Sequence, residues 1–99
     1  MLKSLVDPTP EILEEITRLA ALFFTPREIA IMQELPADDF VRECACENSN
    51  YYTAFQSGRL QSEVDLRTSI LKLAKSGSSP AQTMSLDMLN KSKGKMLDR

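Results

Sequence analysis

The sequence predicts an all-α protein: three short helices, then a long helix with a shorter one folded back on it. Three observations carry this. Apolar residues recur at helical spacing, as Ile12, Ile16, Leu19, Ala20 and Phe23 do. Prolines stand directly after capping residues, at Thr9-Pro10 and Thr25-Pro26, where helices begin. No stretch alternates apolar and polar residues as a half-buried strand does.

The first helix opens at Thr9-Pro10, with Glu11, Glu14 and Glu15 near the positive end of its dipole, and is expected to end near Phe24. Thr25-Pro26-Arg27-Glu28 reads as a capping box, so a second helix runs from Pro26 to about Glu34, where Pro36 breaks it. A third covers about Ala37 to Cys46, with Asp38 and Asp39 in its first turn and Phe40, Val41 and Cys44 on its inner face. Glu47-Asn48-Ser49-Asn50 is a polar turn in which Ser49 or Asn50 can cap the fourth and longest helix, about Tyr51 to Lys75. Gly58 is a weak point inside it, costing about 1 kcal/mol relative to Ala, and the stretch from there to Glu63 reads as surface-exposed or partner-facing, or as slightly bent. Ser76-Gly77-Ser78 ends it, and Ser79-Pro80-Ala81-Gln82 reads as a second capping box, opening a fifth helix with Met84, Leu86, Met88 and Leu89. The boundaries that follow are a head at 1–48, a helical hairpin at 49–92 and a flexible basic tail at 93–99.

Composition narrows the function. The 99 residues are 42% hydrophobic, enough for a packed core and against wholesale disorder. The longest apolar run, Leu19–Phe24, is far short of the roughly 20 residues a membrane span needs, and the first residues carry no long apolar signal segment. Histidine is absent, which removes the commonest general base and the commonest metal ligand. The three glycines are isolated, so there is no phosphate-binding loop. The acidic clusters at Glu11, Glu14 and Glu15 and at Asp38, Asp39, Glu43 and Glu47 are read as first-turn charges and solvated faces. The expectation is therefore a non-enzymatic protein with no cofactor, no metal and no membrane contact. Cys44 and Cys46 stand two apart, so on a helix they point away from each other: one thiol is read as a small core residue and the other as exposed. Two unpaired thiols point to a reducing, cytoplasmic compartment.

Charge is unevenly spread. Residues 1–50 carry four Lys/Arg against ten Asp/Glu, and residues 51–99 carry eight against four, balances of −6 and +4. This fits a basic half facing nucleic acid, and equally a head-to-tail contact between subunits.

The second and third helices together have the pattern of a helix-turn-helix, with the first helix bracing them into a three-helix head. Ala30 is the small contact residue, Leu35-Pro36-Ala37 the turn and Phe40 the inward anchor. Gln33 stands where an apolar residue is usual, and Glu34 where glycine is common. The exposed positions of the recognition helix are Ala37, Asp38, Asp39, Arg42 and Glu43. Its acids repel phosphates, although Asp or Glu can accept from a cytosine amine, so the pattern supports the shape better than base reading. An ordinary helical hairpin is the competing reading. Arg59, Arg67, Lys72 and Lys75, followed by Lys91, Lys93, Lys95 and Arg99, could track a phosphate backbone. Tyr51, Tyr52 and Phe55 could stack on bases, although packing is the expected role of at least two of them.

The order Phe24-Thr25-Pro26-Arg27-Glu28-Ile29-Ala30, Phe40-Val41-Arg42, Ala54-Phe55-Gln56-Ser57-Gly58-Arg59 and Leu73-Ala74-Lys75-Ser76-Gly77-Ser78 resembles the short small-terminase-like proteins of tailed phages and prophages. The resemblance covers roughly Leu19 to Leu89. It implies a non-catalytic DNA-packaging subunit that binds double-stranded DNA, assembles with itself and hands DNA to a large terminase subunit. Carried onto this chain, it implies DNA contact at Arg27, Arg42 and the exposed face near Asp38, to which the residue reading above adds Ala37 and Arg59 as candidates. It implies oligomer contact at Tyr52, Phe55, Leu60, Val64, Met84 and Met88. The competing expectation, from the acidic head and basic rear half, is a helical protein-interaction adaptor or scaffold that binds no DNA.

Overall fold

The computed structural model describes residue 5 and residues 7–97, with side chains through residue 94. The class is all-α, with five helices among the described residues: α1 Pro10–Ala21, α2 Pro26–Met32, α3 Ala37–Cys44, α4 Asn50–Lys75 and α5 Ser79–Leu97. Two compact units divide the chain at Ser62, inside α4, rather than at residue 48.

Local chemistry sets the helix starts. The Thr9 hydroxyl accepts from the Ile12 amide at 3.2 Å. At Thr25 both halves of the capping box are made: the Glu28 amide donates to the Thr25 hydroxyl at 3.2 Å, and the Thr25 amide to the Glu28 carboxylate at 2.9 Å. Ser49, not Asn50, caps α4, accepting from the Tyr51 amide at 3.1 Å.

The helix ends depart from the sequence reading. α1 stops at Ala21, short of Phe24, and α2 at Met32, short of Glu34. Each closes in a Schellman turn. The amide two residues past the cap bonds back to a carbonyl five residues earlier, Phe24 to Leu19 at 3.4 Å and Leu35 to Ala30 at 2.8 Å. This turn needs one left-handed residue, and here those are Phe23 at φ 69° and Glu34 at φ 56°. α4 ends the same way, with Gly77 at φ 102° and the Ser78 amide on the Leu73 carbonyl at 3.1 Å.

The core of the first unit, Met1–Ser62, is built from α1, α2, α3 and the first turns of α4. Ile16, Ala20, Ile29, Ala30 and Phe40 are fully buried. Each large apolar side chain so buried contributes about 1.5–3 kcal/mol. α4 presents Tyr51, Ala54, Phe55 and Gly58, one helical stripe, all buried. Tyr51 meets the edge of Phe40 at 5.5 Å between ring centres and 83° between planes. Gly58, read from sequence as a weak point in an exposed stretch, is where α4 crosses α1. A Cβ there would lie 2.1 Å from the Thr17 carbonyl oxygen.

The second unit, Glu63–Arg99, is the helical hairpin. Here the second capping box is displaced by one residue. Ser78, not Ser79, accepts from the Ala81 amide, at 3.4 Å, and Gln82 sends its side-chain amide to the Ala74 carbonyl, at 3.1 Å, instead of back to the cap. α5 continues to Leu97, so residues 93–97 of the segment expected to be a flexible tail are helical, and residues 98 and 99 lie outside the described residues.

Candidate functional site

The helix pair has the features a helix-turn-helix requires. Ala30 on α2 and Phe40 on α3 are fully buried, and the intervening turn is held by the Leu35–Ala30 hydrogen bond. α3 has a Pro36 cap with no side-chain acceptor, and Asp38 and Asp39 offset this by lying at the positive end of its dipole.

The structure brings Arg27, Ala37, Asp38 and Arg42 together around α3 and uses the first, third and fourth in ion pairs. Arg27 donates to Asp38 across the turn at 2.9 Å, and Arg42 pairs with Asp39 on α3 itself. Ala37 is half-buried, packed against the core. Both arginines of this face thus have a carboxylate beside them. The pairs are solvent-exposed, and such pairs are worth only about 0–1 kcal/mol, so either guanidinium can exchange its partner for another anion at little cost.

Arg59 serves elsewhere. It lies next to the α1 crossing and its guanidinium closes the open end of α1, donating to the carbonyls of Ala20 at 3.2 Å, Phe23 at 3.3 Å and Phe24 at 2.7 Å. It also stacks on the Phe55 ring at 4.8 Å from the centroid. Three residues further, the Ser62 hydroxyl donates to the Ala21 carbonyl. The Ala20 and Ala21 carbonyls are among those a helix C-terminus leaves without their usual partner. Arg59 is therefore an internal clamp between α4 and α1. Sequence reasoning missed this role, and missed Ser62 altogether. The signal that could have shown it is Gly58 immediately before Arg59, because a glycine inside a helix can mark a packing contact.

A cleft of about 720 Å³ opens beside α3, lined among others by Asp7, Asp39, Arg42, Glu43, Asn48 and Tyr51. Its charge is acidic, with Arg42 already paired to Asp39. Among the described residues, no group of three or more Cys, Asp or Glu side chains is placed to hold a metal ion. Cys44 is buried and Cys46 exposed, as their spacing predicts. Burial, reinforced by the neighbouring Glu43 charge, pushes the Cys44 thiol up to about 11, so it stays protonated and unreactive at neutral pH. Burial also raises Tyr51, with Glu43 and Asp7 adding to it.

The candidate assembly residues divide. Phe55 is only 7% exposed and belongs to the core of the first unit, which removes it from any oligomer surface. With Tyr51 also in the core, two of the three aromatic residues considered for base stacking are packing residues. Tyr52 and Met88 are half-buried. Leu60 and Val64 are each 56% exposed and Met84 51%. The hairpin has almost no interior: Ala81 is its one buried residue among those described, while Val64, Leu66, Leu71, Leu73, Met84, Leu86 and Leu89 are exposed. A shallow groove of about 250 Å³ runs between Arg67, Leu71, Ser85, Met88 and Leu89. No helix among the described residues is long and apolar enough to cross a membrane.

In comparisons with known proteins, no family model matches the chain, and no curated protein and no solved structure matches it significantly.

Proposed function

We propose that the protein is a non-catalytic, self-assembling DNA-recognition subunit of the small-terminase type, working in the cytoplasm beside a large catalytic subunit. The observation that carries this reading is the division of labour between the units. The first is a helix-turn-helix head with a core of its own. The second is a hairpin whose large apolar side chains stand in water. Seven large apolar side chains exposed on one small hairpin are surface that further copies can cover, supplying the missing burial. An assembly also presents many heads at once, so contacts that are individually weak add up along a duplex.

The charges say how DNA would be held. With Arg59 engaged internally, phosphate contact draws on Arg27 and Arg42, once released from their exposed pairs, and on Lys72 and Lys75 of the hairpin, which are exposed. Such contact positions the protein without reading sequence. Titration of duplex DNA at several salt concentrations tests this. Binding should weaken steeply and linearly on a log–log plot, and Arg27→Ala/Arg42→Ala should reduce the slope by roughly the two contacts removed. Absence of binding at low salt removes the DNA half of the reading.

The pairing of both α3-face arginines with aspartates favours one second reading, a helical scaffold that binds protein and no DNA. It shares the exposed hairpin and differs only in the titration.

A further inference from the structure

Each unit carries an exposed apolar surface, and the two have opposite surroundings. On the head, Leu22 and Phe23 follow α1 and Ile31 and Met32 end α2, at 57, 52, 70 and 43% exposure. An apolar groove of about 240 Å³ lies here, lined by Phe24, Glu28, Ile31 and Met32. Its surroundings are negative. Glu28 lines it, Glu34 follows in the turn, and α2 ends there with the carbonyl end of its dipole. The unit as a whole, residues 1–62, carries five Lys/Arg against ten Asp/Glu.

On the hairpin, Leu86, Leu89 and Lys93 stand at i, i+3 and i+7 on α5, one face of the helix. The two leucines are 61 and 50% exposed, and Lys93 is exposed. Residues 63–99 carry seven Lys/Arg against four Asp/Glu. Apolar anchors at this spacing are what a helix presents to a groove.

We infer that the Leu86–Leu89–Lys93 face of α5 in one copy docks into the Phe24–Ile31–Met32 groove on the head of a second copy. The inference rests on the self-assembling reading above and names its contact surface. Charge selects the occupant: the groove is apolar with an acidic surround, and the α5 face is apolar with a basic end. Two α5 faces brought together in parallel would instead set Lys93 toward a second Lys93. Because every chain carries one groove and one α5 face, the contact is heterologous and propagates into a ring or a filament.

Sedimentation of the 99-residue chain over a range of concentrations tests this, with circular dichroism to verify that each variant stays helical. Ile31→Lys/Met32→Lys blocks the groove at surface positions, and Leu86→Glu/Leu89→Glu blocks the α5 face. Each variant alone should sediment as a single chain where the native protein forms larger species. Mixed in equal amounts, they should form a species of two chains and nothing larger, because one intact groove then meets one intact face. A charge pair gives a milder check. Glu34→Lys and Lys93→Glu should each weaken assembly severalfold at low salt, and the chain carrying both should recover it. A mixture that stays as single chains overturns the inference. So does native-like assembly of the groove variant beside loss in the α5 variant, which would mean hairpin-on-hairpin contact and leave the self-assembling reading intact. A native protein that is a single chain at every concentration overturns both.

Discussion

Arg59 on α4 donates to the Phe24 carbonyl at 2.7 Å, and through it a side chain of the long helix completes the end of the first one. Hydrogen bonds from a charged donor contribute about 1.5–3 kcal/mol, and removing the donor leaves carbonyls at the helix end without this partner. Arg59→Ala should lower the unfolding free energy by about 2–3 kcal/mol in urea titrations. Arg59→Lys should recover only part of that, because an ammonium lacks the planar fork that spans three carbonyls. If Arg59 served DNA instead, its loss would weaken DNA binding and leave the urea midpoint unchanged.

Gly58 makes the same junction possible. Alanine normally stabilises a helix interior by about 1 kcal/mol over glycine. Here the added methyl would sit 2.1 Å from the Thr17 carbonyl and 3.0 Å from the Ala20 Cβ, and the first of these is backbone, which cannot swing aside. Gly58→Ala should therefore destabilise by about 1–3 kcal/mol, the usual cost of overpacking. At Gly94 an added methyl would meet nothing within 4 Å, so Gly94→Ala should leave the melting temperature unchanged or raise it. In thermal melts of the two variants, only Gly58→Ala should fall below the native protein.

These two neighbours show where the sequence is legible and where it is not. The starts at Thr9 and Thr25 and the glycine end at Gly77 depend on residues within a few positions, and local chemistry reveals them. Ala30 and Phe40 are readable too, because their spacing reports a buried face. Arg59 is not, since its partners lie 35–39 residues away and an arginine on a helix that also carries lysines looks like a surface cation. The helix ends at Ala21 and Met32 are hidden for a different reason: their left-handed positions hold Phe23 and Glu34, residue types that ordinarily avoid that conformation. Of the residues the sequence offers as DNA contacts, the grouping of Arg27 with Asp38 follows from the helix-turn-helix spacing, whereas their mutual pairing needs the actual turn geometry.

The left-handed residues offer a stabilising change. A side chain with a Cβ at φ 56° costs roughly 1–2 kcal/mol against glycine. Glu34 forms its turn without helping the core, so Glu34→Gly should stabilise the protein, by about 0.5–1 kcal/mol after the added freedom of the unfolded chain is subtracted. Phe23→Gly relieves similar strain at φ 69° and also removes the ring that lies 5.8 Å from the Arg59 guanidinium. Its gain should be smaller or absent. Urea midpoints of the two variants compared side by side read this difference directly.

Cys44 predicts how stability depends on alkaline pH. Its thiol is pushed up to about 11 in the folded protein from an ordinary value of 9.0, chiefly because burial disfavours the thiolate and secondarily because Glu43 lies close. Below pH 9 both states hold the proton and the buried thiol contributes its full stability. Between about 9 and 11 the unfolded chain releases the proton while the folded one keeps it, so unfolding gains and stability falls as pH rises. Tyr51 is displaced in the same direction, by burial first and then by Glu43 and Asp7, and extends the decline to higher pH. Urea midpoints measured from about pH 7 to 11 should fall over this window, and Cys44→Ala should flatten the lower part of the fall while leaving the Tyr51 part. At about pH 7.5 a thiol reagent should label one cysteine per folded chain, the exposed Cys46, and reach Cys44 only when urea unfolds the head. Fast labelling of both thiols in the folded protein would contradict the burial of Cys44 on the inner face of α3.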